Sequence, residues 1–169
     1  TAEVSGTPQL TGTAISGIDV SLNKPGDKIV YEFDLVNNGS IEAKLTNINV
    51  KHLISESSYV QKIYDCVGKN TTECINKYDF NKDGKITAPD ITIVYGAFNI
   101  YLYDGDTRVA KYTKNSRTGK ESGLWLEAHE TRHLKLVIAF RDTASFVVDE
   151  KITIFDSTKP AVTLTFEQK

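Results

Sequence analysis

Apolar and polar residues alternate along most of this chain, and the alternation breaks once, near the middle. Residues 1 to 22 are rich in Thr, Ser and Gly; apolar alternation there is confined to Ile18, Val20 and Leu22, which predicts a loose leading segment followed by a strand. Lys24-Pro25-Gly26-Asp27 is a turn, because Pro fixes φ at one position and Gly frees it at the next. Ile29, Tyr31, Phe33 and Leu35 then alternate with polar residues, as a strand buried on one face does. After a turn at Asn37-Asn38-Gly39-Ser40, Ile41, Ala43, Leu45, Ile48 and Val50 continue as strand, with a slip in register that predicts a bulge.

The period changes next. Ser58 and Gln61 have the spacing of a capping box, and Val60, Ile63, Tyr64 and Val67 form a helical stripe that ends at Gly68. A second helical segment runs from Thr72 to Tyr78, and a third carries Ile91, Val94, Tyr95 and Phe98. Residues 55 to 100 are thus expected to be a helical insertion between strands.

Strand signal returns at Asn99 to Tyr103, then the hairpin signal Asp104-Gly105, then Thr107 to Tyr112. Residues 113 to 123 read as an exposed loop, and Trp125, the single Trp, as core. Leu134, Leu136, Ile138 and Phe140 alternate; Phe146 to Val148, Ile152 to Phe155, and Val162, Leu164 and Phe166 are further strands. Many short strands separated by turns predict a mainly β chain, an antiparallel β-sandwich, with residues 1 to 169 forming one domain.

Within the helical stretch, Asp79 to Asp90 has the spacing of a twelve-residue calcium loop. Asp79, Asn81 and Asp83 stand at positions 1, 3 and 5. Lys85 offers its backbone carbonyl at position 7, Thr87 a hydroxyl or a bridging water at position 9, and Asp90 a carboxylate at position 12. Calcium is a hard cation that takes six to eight oxygens, and Gly84 supplies the sharp turn at position 6. Ile86 faces away from the ion and would pin the loop to a core. An acidic turn with the same spacing is the plain alternative. The loop departs from the usual EF-hand only in having Asp at position 12, and there it resembles the dockerin loop, D-x-N-x-D-G-x-I-x-x-x-D. Dockerins carry two such loops; this sequence has one, which is suited to bracing a local structure.

Composition narrows the setting. The net charge of -2 gives no electrostatic basis for binding nucleic acid or an anionic membrane, and no apolar run is long enough to span a bilayer. Cys66 and Cys74 are too few for a structural zinc site and would pair as a small-loop disulfide in an oxidising compartment. Asn38-Gly39-Ser40 and Asn70-Thr71-Thr72 are glycosylation sequons. The chain starts Thr1-Ala2-Glu3 and contains no Met, which reads as a processed start. Together these features predict an extracellular or cell-surface protein.

The stretch from Leu22 to Phe33, including Lys24-Pro25-Gly26-Asp27, followed by Val36-Asn37-Asn38-Gly39-Ser40-Ile41, resembles the strand-turn-strand of the TasA and camelysin-like secreted fibre subunits, which include archaeal bundling pilins. Ala161 to Gln168 is similar to their closing strand. The resemblance implies a jelly-roll-like sandwich that polymerises with copies of itself by donor-strand complementation, a neighbour's leading segment filling a gap in the sheet. Residues 1 to 15 are then the candidate donor strand, with Val4, Leu10 and Ile15 as anchors. Calcium and a disulfide would both stabilise such a subunit. An ordinary flexible terminus is the alternative for this segment.

Two other functions compete with a structural subunit. One is a monomeric extracellular module that binds carbohydrate or protein. The other is a zinc metalloprotease, because His129-Glu130-Thr131-Arg132-His133 matches H-E-x-x-H. That motif needs a helix, where four residues rise about 6 Å on one face. In a strand the two histidines stand about 13 Å apart, too far for one ion. The alternation from Leu134 to Phe140 predicts a strand, so His129 and His133 read as solvated turn residues and no catalytic residue is assigned.

Overall fold

The computed structural model describes residues 3–5, 9–51, 54–113, 124–142, 150–155, 158 and 161–168. Among them the chain is mainly β. The strands are β1 (Glu3–Ser5), β2 (Gln9–Thr11), β3 (Ala14–Ser16), β4 (Asp19–Leu22), β5 (Lys28–Val36) and β6 (Ala43–Val50), then β7 (Phe98–Asp104), β8 (Thr107–Thr113), β9 (Trp125–Leu126), β10 (Thr131–Phe140), β11 (Ile152–Phe155) and β12 (Val162–Gln168). Helices α1 (Ser58–Cys66), α2 (Thr72–Tyr78) and α3 (Ala88–Gly96) lie between β6 and β7. The strand expected at Phe146 to Val148 falls outside the described residues, as does most of the loop at 113 to 123.

The strands form three antiparallel sheets, ordered β1-β4-β11, β5-β10-β7-β8 and β2-β3-β12-β6-β9. Strand β10 anchors the second, pairing with β5 from Thr131↔Val36 to Ala139↔Lys28 and with β7 from Leu134↔Asp104 to Phe140↔Phe98. The inward residues of all three sheets share one core. Val20 and Leu22 of β4, Leu134 and Leu136 of β10, Ile48 of β6 and Leu164 of β12 are all buried in it. Each such side chain stabilises the fold by about 1.5–3 kcal/mol relative to leaving it exposed.

The turn at Lys24-Pro25-Gly26-Asp27 is closed by Asp27, whose carboxylate accepts from the Asn23 and Lys24 amides at 3.1 and 3.2 Å. The slip in β6 is a bulge: Thr165 pairs with Asn47 and Phe166 with Leu45, so Thr46 has no opposite residue. Its hydroxyl donates to the Thr165 carbonyl at 3.2 Å instead.

Local expectations shift in four places. The cap of α1 is Ser57, whose hydroxyl accepts from the Val60 amide; Ser58 instead donates to Glu150. Tyr59, Val60 and Ile63 turn inward, and Tyr64 and Val67, expected in the apolar stripe, are exposed. Phe98 opens β7 and does not extend α3. Trp125 is only half buried, because the alternation in β9 puts Leu124 and Leu126 into the core and turns the indole outward, beneath the Lys44 ammonium. No helix among the described residues is long and apolar enough to cross a membrane.

Candidate metal loop and leading segment

The helical insertion is assembled from short-range contacts. Thr71 caps α2 by accepting from the Cys74 amide at 3.2 Å. Cys66, the last residue of α1, is disulfide-bonded to Cys74 in α2, with Cα atoms 5.7 Å apart. Helix α2 ends where the acidic loop starts, since Asp79 is its C-terminal cap. Tyr78 packs edge-on between Tyr59 and Phe80, with ring centroids 5.9 and 6.5 Å away, which holds the start of the loop against α1. Ile86 is buried, as its position in the loop predicts, and its carbonyl accepts from the Gly68 amide.

The loop's polar side chains turn inward onto its own backbone. Asp79 accepts from the Asp83 amide at 3.1 Å and the Gly84 amide at 2.9 Å. Gly84 takes φ of +78°, the left-handed turn its loop position demands. Asn81 accepts from the Asp83 amide, and its own amide group donates to Asp83 at 3.0 Å. Asp83 accepts from the Lys85 amide at 2.9 Å. Asp90 is fully buried and joins both ends of the loop, accepting from the Phe80 amide at 2.9 Å and the Thr87 amide at 2.8 Å. With Thr87 it forms the capping box of α3, a role the spacing alone did not reveal.

Among the described residues, no group of three or more His, Cys, Asp or Glu side chains is gathered so as to hold a metal ion. The loop's three carboxylates are therefore not drawn together here, although with an amide oxygen, a backbone carbonyl and a hydroxyl they make up a set of hard oxygens of the type calcium takes. Each oxygen of Asp79 accepts one amide bond and keeps a lone pair, whereas Asp90 already accepts three amide bonds.

The H-E-x-x-H residues do not share a helix face. His129 lies in the turn before β10 with φ of +61°, and His133 lies in β10, 2.8 Å from the Asp34 carboxylate. Glu130 accepts from Arg132 and from the Glu127 amide, and these two interactions hold its carboxyl below the usual range. Arg132 also reaches Asp104 at 2.5 Å, so this cluster serves as a clasp between the start of β10 and the end of β7.

The leading segment lies at sheet edges. Strand β1 borders β4, with Val4 opposite Val20; β2 borders β3, with Leu10 opposite Ile15; β3 pairs with β12 at Ile15↔Val162 and Ala14↔Thr163, extended by the Ala161 amide donating to the Ile15 carbonyl and the Leu164 amide to the Thr13 carbonyl. Ile15, an expected anchor of the donor strand, is buried in the chain's own core, while the side chains of Val4 and Leu10 lie outside the described residues. No known protein family, no curated protein and no solved structure matches this chain.

Proposed function

We propose that this chain is a structural subunit of an extracellular filament. In this reading its sheets form a jelly-roll-like β-sandwich, its leading segment pairs with a neighbouring copy, and calcium braces its helical insertion. The supporting observation is the attachment of residues 3 to 11: two strands of three residues each, at the edges of two different sheets. Each backbone hydrogen bond contributes only about 0.5–1.5 kcal/mol net, so such short pairings are readily exchanged for equivalent ones on another subunit. Donor and acceptor are different surfaces, and such a contact repeats without closing.

Calcium would be held by Asp79, Asn81, Asp83, Thr87 and Asp90 with the Lys85 carbonyl. It would supply charge that draws the carboxylates together and fixes α2 relative to α3. Asp90 would have to share oxygens it now commits to the Phe80, Asn81 and Thr87 amides.

Electron microscopy of the purified chain tests this, with and without a calcium chelator and with residues 1 to 11 deleted. Regular filaments that vanish on deletion are expected. Persistent single subunits at high concentration would refute assembly, and isothermal titration with no calcium heat would refute the metal.

A second reading, a glycan-binding module, is favoured by one surface. Tyr101 and Tyr103 lie on the outer face of β7 with ring centroids 6.2 Å apart, and Arg108 and Lys111 approach the Tyr101 ring. A glycan array on which Tyr101→Ala abolishes a specific signal would support it.

A further inference from the structure

The outer face of the sheet β5-β10-β7-β8 carries charge of the opposite sign to the chain as a whole. Alternation along β7 turns Ile100 and Leu102 into the core and Tyr101 and Tyr103 outward. Two cross-strand rows result. One runs through Val30, Val137, Tyr101 and Lys111, the other through Glu32, Lys135, Tyr103 and Arg108. These rows hold Lys111, Lys135 and Arg108 against the single carboxylate of Glu32, in a chain whose net charge is -2. Four strands at the usual spacing spread each row over about 14 Å.

A bulge in β8 creates this arrangement. Leu102 pairs with Ala110 and Tyr103 with Arg108, so Val109 is the extra residue. Val109 and Ala110 are both buried, two successive inward side chains. Strict alternation would send Arg108 to the side of Ala110, away from Lys111. The bulge returns it to the outer face, where it is exposed and flanks the same ring as Lys111. The Arg108 guanidinium carbon lies 5.5 Å from the Tyr101 centroid and the Lys111 ammonium 5.9 Å.

The ring between the two cations is itself held. Its hydroxyl is hydrogen-bonded to the side chain of Asn99, which is only 2% exposed. Burial raises the hydroxyl's pKa, and the nearby Arg108 and Arg141 pull it back. Tyr103 stands at 61° to Tyr101 with centroids 6.2 Å apart. Tyr101 thus orients the cations, while Tyr103 and Val137 offer partly exposed apolar surface beside them. Lys135 is tempered by Glu32 opposite it and by Asp106 at 4.0 Å, so Arg108 and Lys111 are the stronger anion-binding pair.

Cations set beside aromatic rings along an open strand face suit an extended polymer that is both acidic and built of rings. The Cys66–Cys74 bridge favours a sugar polymer over a nucleic acid, because disulfides persist in the oxidising surroundings of secreted and surface proteins. Resting on the glycan-binding reading, we infer that the ligand of this face is a polyuronate, a polysaccharide with a carboxylate on each sugar. Arg108 takes a carboxylate through its fork and Lys111 through its point charge. The C–H face of a sugar ring lies on Tyr103 and Val137.

The test measures binding of the full chain to immobilised polygalacturonate by biolayer interferometry, beside dextran and a single-stranded oligonucleotide. Chelator is present throughout, so that calcium does not bridge the carboxylates. Binding to polygalacturonate and not to dextran is expected, and it should weaken about tenfold or more as salt rises to about 1 M, where the screening length is about 3 Å. Arg108→Gln combined with Lys111→Gln should weaken it about tenfold by removing the charge-assisted hydrogen bonds, with an unchanged thermal midpoint. Equal binding to dextran that Tyr103→Ala removes would leave the glycan reading standing and overturn the acidic ligand. Tighter binding to the oligonucleotide would overturn the sugar. Polygalacturonate binding that the double variant leaves unchanged would overturn this face as the site. Binding to none of the three polymers would overturn this inference and the glycan reading together.

Discussion

The helical insertion and the leading segment are held in opposite ways. In the insertion each piece is fixed by side chains a few positions away: Ser57 with the Val60 amide, Thr71 with the Cys74 amide, Cys66 with Cys74, Asp79 with Gly84. The leading segment is held by backbone pairing with strands that lie further along the chain, as where Ile15 meets Val162. Side-chain contacts of the first kind are specific to their residues and cannot be transferred to another molecule without unfolding. Backbone pairing at an edge accepts any strand of suitable pattern. The insertion is therefore tied by contacts that stay with their residues, and the proposed assembly would draw on the leading segment, whose pairing is of the transferable kind.

Deleting residues 1 to 11 should break this comparison most visibly. Assembly should disappear while circular dichroism still reports a folded β-rich subunit. If the deletion unfolds the chain, the segment is an integral part of the core and the contrast is wrong. Asp90→Ala comes next. It removes the acceptor for three loop amides in a buried place, at a cost of about 3 kcal/mol or more. In chelator the variant should melt well below the parent. Adding calcium should raise the parent's midpoint, by an amount equivalent to about 2.7 kcal/mol at a hundredfold excess over Kd, and leave the variant unmoved. A parent that does not respond to calcium would leave Asp90 as a helix cap and nothing more.

The contrast also explains what could be read from the sequence. Strands β5, β10 and β12 are legible because one buried face imposes a period of two. Even the Thr46 bulge shows, in the changed spacing between Leu45 and Ile48. The turn at Gly84 and the burial of Ile86 are legible for the same local reason, since both follow from counting positions along twelve consecutive residues. The partner of β5 is not legible, since a strand's pattern records which face is buried and not which strand flanks it; the β5-β10 register, made across most of the chain, comes only from the structure. Trp125 and Ser58 illustrate a smaller limit: a single step of register decides which side chain turns inward and which hydroxyl caps. Asp90 shows that one residue at one spacing fits both the expected metal loop and the capping box that it forms.

Reducing Cys66–Cys74 is a smaller perturbation, because the bridge closes only a short loop. Chain entropy gives about 2–3 kcal/mol for a loop of this size. Hydrogen exchange should quicken across residues 67 to 80 and stay unchanged in β5 and β10. Uniform quickening over the whole chain would show that the insertion does not open independently of the sheets.

The smallest effect is a titration, and it sharpens the comparison by setting a tyrosine of the insertion beside one of the sheets. Tyr95 of α3 is raised well above its ordinary value of 10.0, by burial first and then by its hydrogen bond with Tyr64. Tyr31 of β5 is raised from 10.0 by burial and then by the Asp19 charge. Below pH 10 both residues keep their protons whether the chain is folded or not, and stability does not depend on them. Above it the unfolded chain releases protons that the folded one retains, so stability falls as pH rises through the interval up to the raised values. Tyrosinate absorbance should therefore lag behind that of the unfolded chain, and Tyr31→Phe and Tyr95→Phe identify the two contributions.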